Sequence, residues 1–183
     1  MLFQVQLSSD GKFLCHIDGE GQIKVYIDDD REILLSLPDE ISINKVDNKI
    51  HKIQINNINA RNISIGPVIE GYITEIESWG DLDIIHLYKL FENNDNEILK
   101  LPNYIPKSLT DLSYLFYGTG SCCIEGIESW DASHVTNMSF MFYDAESFNQ
   151  DLSSWDVSSV TNMSFMFYDA KSFNQDLSSW NVS

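Results

Sequence analysis

The chain nearly copies itself. Ser147–Ala170 reads SFNQDLSSWDVSSVTNMSFMFYDA, and Ser172–Ser183 begins the same text again with SFNQDLSSWNVS. Trp130, Trp155 and Trp180 are evenly spaced, and Val135/Val160, Met138/Met163 and Phe142/Phe167 keep the same step. A fixed period of this size marks a repeat architecture, because one unit cannot bury its apolar face alone and neighbours must cover it. The copies fade toward the N-terminus without stopping. Leu109–Tyr117 places apolar residues in the slots of Val135–Tyr143, and Phe91, Phe116, Phe142 and Phe167 hold that step to within one position. The Trp slot reads Trp79, Tyr104, Trp130, Trp155, Trp180, and Ile76–Trp79 echoes Ile127–Trp130. Four units and the start of a fifth are therefore expected over 71–183, following a small β domain over 1–70 that caps or tethers them.

Within the best unit, Leu152, Trp155, Val157 and Val160 have leucine-rich-repeat spacing, and alternation across Trp155, Asp156 and Val157 predicts a short strand. The period then changes. Met163, Met166, Phe167 and Ala170 stand at i, i+3, i+4, i+7, one face of a two-turn helix that Thr161 or Asn162 could cap. The fold class expected is an α/β repeat solenoid, leucine-rich-repeat-like, with a short strand plus a short helix per unit, preceded by a small all-β domain.

The string LSSWDVSSVTNMSFMFYDAKSFNQD, residues 152–176, resembles the repeat of the BspA-type leucine-rich-repeat surface proteins found in bacteria and in some protists and viruses. The likeness is specific over Ile127–Ser183, degenerate over Ile76–Gly126, and does not reach 1–70. It implies protein or matrix binding and adhesion, with no chemistry and no cofactor. Members are typically exported. Here Met1–Leu7 has neither a basic nor an apolar signal region, which predicts no secretory signal, and no stretch approaches the roughly 18 apolar residues of a membrane helix. The settings that follow are a virion or particle, or the cytoplasm, with the cell surface if a signal has been removed.

Net charge is −17, and from Glu75 onward 17 acidic residues face 4 basic ones. Such a surface disfavours nucleic acid and anionic membranes and favours a protein partner of basic character. One competing reading is an intracellular acidic inhibitor that binds a basic or DNA-binding host protein. An enzyme is not expected. His16, His51, His86 and His134 lie in unrelated contexts, phosphate loops are absent, and no carboxylate pair can be nominated for glycan hydrolysis. Cys15, Cys122 and Cys123 make no disulfide framework; Cys122 and Cys123 read as small thiols at a turn, ahead of a metal site with His134.

Over 1–70, Phe3/Val5/Leu7, Phe13/Cys15/Ile17 and Ile23/Val25/Ile27 alternate, with turns at Asp10–Gly11 and Gly19–Gly21, and predict a three-strand meander. Ile41/Ile43, Ile53/Ile55 and Ile63/Ile65 suggest further strands. Asp28–Arg31 reads as a solvated turn ahead of a cation site, and Pro67–Gly71 as a hinge.

Trp130, Trp155, Phe142, Phe167, Phe148 and Phe173 are assigned to the core. Three sets remain as candidate surfaces. Asp131, Asp156 and Asn181 should stack in register beside Ser129, Ser154 and Ser179 on a concave face suited to a cationic partner. Phe140, Tyr143, Phe165 and Tyr168 fall off the helix face as an aromatic stripe suited to a partner. Leu177, Trp180 and Val182, in the opening of the fifth unit, are expected at an open edge that invites self-association.

Overall fold

The computed structural model describes residues 2–7, 12–27, 31–36, 39–44, 50–57, 61–69, 71–80, 82–121 and 123–182. Among these are eleven strands: β1 (Leu2–Leu7), β2 (Lys12–Glu20), β3 (Gln22–Ile27), β4 (Arg31–Ser36), β5 (Asp39–Asn44), β6 (Ile50–Asn57), β7 (Arg61–Ile69), β8 (Gly71–Ser78), β9 (Ile84–His86), β10 (Ile98–Lys100) and β11 (Cys123–Glu125). Each alternating apolar run noted before Gly71 is a strand, yet the meander does not form. β1 pairs with β6 and β8, β2 with β5 and β7, and β3 with β4 and β6. Period-2 alternation reveals an apolar face but not the neighbour that shares it. The Asp10–Gly11 turn and the Asp28–Asp30 part of the cation-site reading lie outside the described residues. Pro67 falls inside β7 and Gly71 opens β8, so the expected hinge is strand at both of its ends, Glu70 lying outside the described residues.

Two sheets result, ordered β11-β10-β8-β1-β6-β3-β4 and β5-β2-β7-β9. Both run on into the repeated region by parallel pairing. Glu75, Lys100 and Glu125 line up across β8, β10 and β11. On the other sheet, β9 follows β7, and single parallel bridges then join His86 to Asp111, Asp111 to Asn137 and Asn137 to Asn162.

The α/β solenoid expectation is overturned. Among the described residues there is no α-helix, only a 3-10 turn at Ile127–Ser129, and the architecture is small β-sheets followed by chained turns. Trp155–Val157 is not a strand. The predicted helix is replaced by turns for an identifiable reason. Lys89, Tyr114, Phe140 and Phe165 have φ of 54, 60, 57 and 57°, and Asn93, Gly118, Asp144 and Asp169, at i+4 from each, have 50, 64, 58 and 58°. A left-handed residue at every fourth position cannot belong to an α-helix.

The donors of this segment can be accounted for completely. In the unit beginning at Leu112, the N–H groups of Leu112, Tyr114, Phe116 and Gly118 donate to the carbonyls of Asn137, Ser139, Met141 and Tyr143 in the next unit. Those of Leu115, Tyr117 and Thr119 close turns onto Leu112, Tyr114 and Phe116. The remaining Ser113 N–H donates to Asp111 Oδ1 at 2.8 Å. Met138–Ala145 repeats the scheme, with Ser139 N–H donating to Asn137 Oδ1. Successive i to i+3 turns still bury i, i+3, i+4 and i+7: Leu112, Leu115, Phe116 and Thr119 in one unit, Met138, Met141, Phe142 and Ala145 in the next. The periodicity is helical while the backbone is not.

Down the interior, Phe91, Phe116, Phe142 and Phe167 form one stack with centroids 5.2, 5.2 and 5.6 Å apart. Trp130 and Trp155 stack at 6.1 Å, and their indole N–H groups donate to Pro102 O and Ile127 O. Trp130, Trp155, Phe142 and Phe148 are buried as expected, and Phe167 and Phe173 are half-buried. Tyr104 departs from the Trp slot. It is 45% exposed, and its carbonyl accepts the Trp79 indole N–H at 2.7 Å.

Two substitutions test this construction. Asn137→Ala removes the acceptor for the buried Ser139 N–H and the 3.0 Å bond to Asp111 Oδ2, and is expected to cost about 1–3 kcal/mol in chemical unfolding. Gly126 has φ of 95°, and a methyl there would run into the Leu101 carbonyl. Gly126→Ala should lower stability by at least about 2 kcal/mol by the same measurement.

Candidate interaction surface

In each unit the chained turns carry two of the three aromatic side chains of the run outward, the first of them from a left-handed residue. Tyr114, Phe140 and Phe165 stack with centroids 4.7 and 5.1 Å apart, and Tyr117, Tyr143 and Tyr168 stack at 5.0 and 4.9 Å. The two files touch side by side at 5.9, 5.7 and 5.9 Å, the first two pairs tilted and the third T-shaped, giving an array two rings wide and three long. Exposure grows along it to 56% at Phe165 and 53% at Tyr168. The four aromatic residues singled out from the sequence are thus brought together, joined by Tyr114 and Tyr117.

At the other end the array meets charge. Lys89 Nζ sits 4.7 Å from the Tyr117 ring centroid while paired with Glu92. Glu92 occupies the slot of Tyr117 one unit earlier. The Tyr143 hydroxyl is pushed above its ordinary pKa, first by partial burial, then by Tyr168 and Tyr117 and by the carboxylates of Asp144 and Asp169. Neither Asp144 nor Asp169 has an ion pair or a side-chain hydrogen bond among the described residues. Glu146, by contrast, pairs with Lys171.

Asp131, Ser154 and Asp156 lie in a different part of each unit, and their polar atoms serve the chain itself. Asp131 pairs with Lys107 through Oδ2 and accepts the Ser133 N–H and hydroxyl at Oδ1. Asp156 Oδ1 accepts the Ser158 N–H at 3.0 Å, and the Ser154 hydroxyl donates to Glu128 O at 3.1 Å. Asn181 is exposed. Leu177 and Trp180 are half-buried against the core, the Trp180 indole donating to Leu152 O, and Val182 is 72% exposed.

The sequence reading missed one recurrent device. Asp111, Asn137 and Asn162, Asp131 and Asp156, and Asp151 and Asp176 each accept the N–H of the serine at i+2. These are Asx-turns, and the Asp/Asn-x-Ser spacing was present to be read. His86 belongs to the same ladder, with Nε2 3.6 Å from Asp111 Oδ1 and 3.2 Å from the Ser113 hydroxyl. His134 places Nε2 3.0 Å from Pro106 O. Cys122 lies outside the described residues, among which no group of three or more metal-ligating side chains gathers. No helix among them is long and apolar enough to cross a membrane.

Fold and surface together define a β-rich repeat protein with a laddered aromatic face. The chain belongs to the family described as Mycoplasma protein of unknown function, DUF285, whose model matches residues 75–183. No curated protein and no solved structure matches it.

The Asx-turns make stability depend on pH with a definite sign. The Asp131 carboxyl is held low, first by the Lys107 hydrogen bond and then by Ser133; Asp151 and Asp156 are lowered by Ser153 and Ser158, and Asp176 by the Ser178 N–H and then its hydroxyl. A depressed carboxyl contributes stability above its unfolded pKa of about 3.9 and loses it as pH falls through the folded value. The urea midpoint should therefore drop between about pH 5 and pH 3. Replacing the four by Asn, which keeps the acceptor and removes the titration, should flatten that drop.

Proposed function

We propose that this is a non-catalytic binding protein that docks a protein partner on the aromatic array, as a surface or particle component acting in attachment or assembly. The resemblance to BspA-type surface proteins supports that setting. The observation that carries the reading is a contrast between two left-handed slots. One is filled by Asn93, Gly118, Asp144 and Asp169, residue types that accept positive φ readily. The other holds Lys89, Tyr114, Phe140 and Phe165, where Gly or Asn would strain the backbone less. Holding a bulky residue there costs about 1–3 kcal/mol, against about 0.5–1.5 kcal/mol for an aromatic contact. For Phe165, more than half exposed, stacked on Phe140 and T-shaped to Tyr168, the two nearly cancel. Fold stability therefore does not account for the ring, and contact with a partner does.

Phe165→Asn should leave the unfolding free energy within about 1 kcal/mol of the parent. With a benzophenone amino acid in place of Tyr168, irradiation of source cells should give a discrete protein adduct that Phe165→Asn weakens. A large loss of stability would instead make the ring part of the core, and an adduct that ignores Phe165→Asn would remove the array as the contact.

A further inference from the structure

Resting on that reading, we propose that the segment the array accepts is cationic: an arginine- or lysine-bearing stretch of the partner, its charged groups set between the tyrosine file and the Asp144 and Asp169 carboxylates. The protein already makes this contact once with itself. Lys89 is held by the Tyr117 ring and the Glu92 carboxylate together, so a cation is shared by an aromatic group and an acid at the first ring of the file. Tyr143 and Tyr168 continue the file beside the carboxylates, and among the described residues no cation lies over either ring. Both acids act electrostatically on the Tyr143 hydroxyl, and neither has an ion pair among the described residues.

Charge balance points the same way. Of the four cations from Glu75 onward, Lys89, Lys107 and Lys171 are already paired with Glu92, Asp131 and Glu146, while 17 acidic residues share this part of the chain. Lys171 also feels Asp169 and Asp144 while bound to Glu146, so the local field is negative even with that lysine present. A neutral apolar segment would have to desolvate Asp144 and Asp169 without compensation, whereas a basic one compensates them and gains contact with the rings. An acidic segment is repelled.

The test uses the full chain and fluorescein-labelled nona-arginine, with nona-glutamate as control, followed by fluorescence anisotropy at low and moderate salt. Binding of nona-arginine alone is expected, weakening as salt rises. Asp144→Asn with Asp169→Asn keeps residues that tolerate left-handed backbone, and should weaken binding about tenfold more than Glu125→Gln with Glu128→Gln, which removes two charges elsewhere. Tyr143→Leu with Tyr168→Leu should weaken it comparably; if that pair lowers the melting temperature, Tyr168→Leu alone serves. Equal losses from the two carboxylate pairs would reduce the effect to general attraction by an acidic protein and overturn the proposal, as would full binding by the leucine variant. Failure to bind nona-arginine while the Tyr168 benzophenone adduct still forms and still depends on Phe165 overturns the cationic partner and leaves docking intact. Absence of that adduct overturns the docking reading itself.

Discussion

Each turn-bearing stretch that has another after it divides its N–H groups between two tasks, and the rest of the structure follows from that division. Alternate donors close turns within a unit while the others reach the carbonyls of the next. No donor of Leu112–Thr119 or Met138–Ala145 is left over, because an Asx side chain takes the one that neither scheme serves. The arrangement needs left-handed backbone at every fourth position, and this turns Tyr114, Phe140 and Phe165 outward while Phe116, Phe142 and Phe167 face in. Core and surface are two sides of one hydrogen-bond pattern.

Much of the packing was legible in the sequence, and much of the backbone was not. The Phe91, Phe116, Phe142, Phe167 register reads directly as an interior stack, and Met138, Met141, Phe142 and Ala145 are buried as a helical period predicts. That period could not distinguish a helix from chained turns, since both return the chain to one side at every third or fourth position. Tyr104 kept the Trp spacing without its burial, and there the indole of Trp79 bonds forward to the Tyr104 carbonyl, whereas the later indoles bond backward. Pairing before Gly71 was hidden for another reason: the strands there are alike in pattern, and partners such as β1 and β8 lie far apart along the chain.

The candidate surface was half legible. Four of its aromatic residues follow from their failure to fit a buried face. Its acidic border was not read at all, since nothing in the letters of Asp144 and Asp169 sets them apart from the aspartates that hold serine turns; among the described residues they have no ion pair. The Asp131 and Asp156 ladder, more conspicuous as letters, is occupied with holding serine turns and Lys107.

Near-identity between neighbouring units also creates a problem of counting. Ser147–Ala170 and the segment that begins at Ser172 offer an upstream unit two almost equivalent templates, so a chain could slip by one whole unit at little energetic difference. The irregular places remove that ambiguity. Gly126 seats against the Leu101 carbonyl, and aspartates, Asp151 and Asp176, stand at the equivalent places of the later units, so that contact cannot be moved along by one unit. The worn, unequal early units are therefore the fiducial marks against which the later copies find their place.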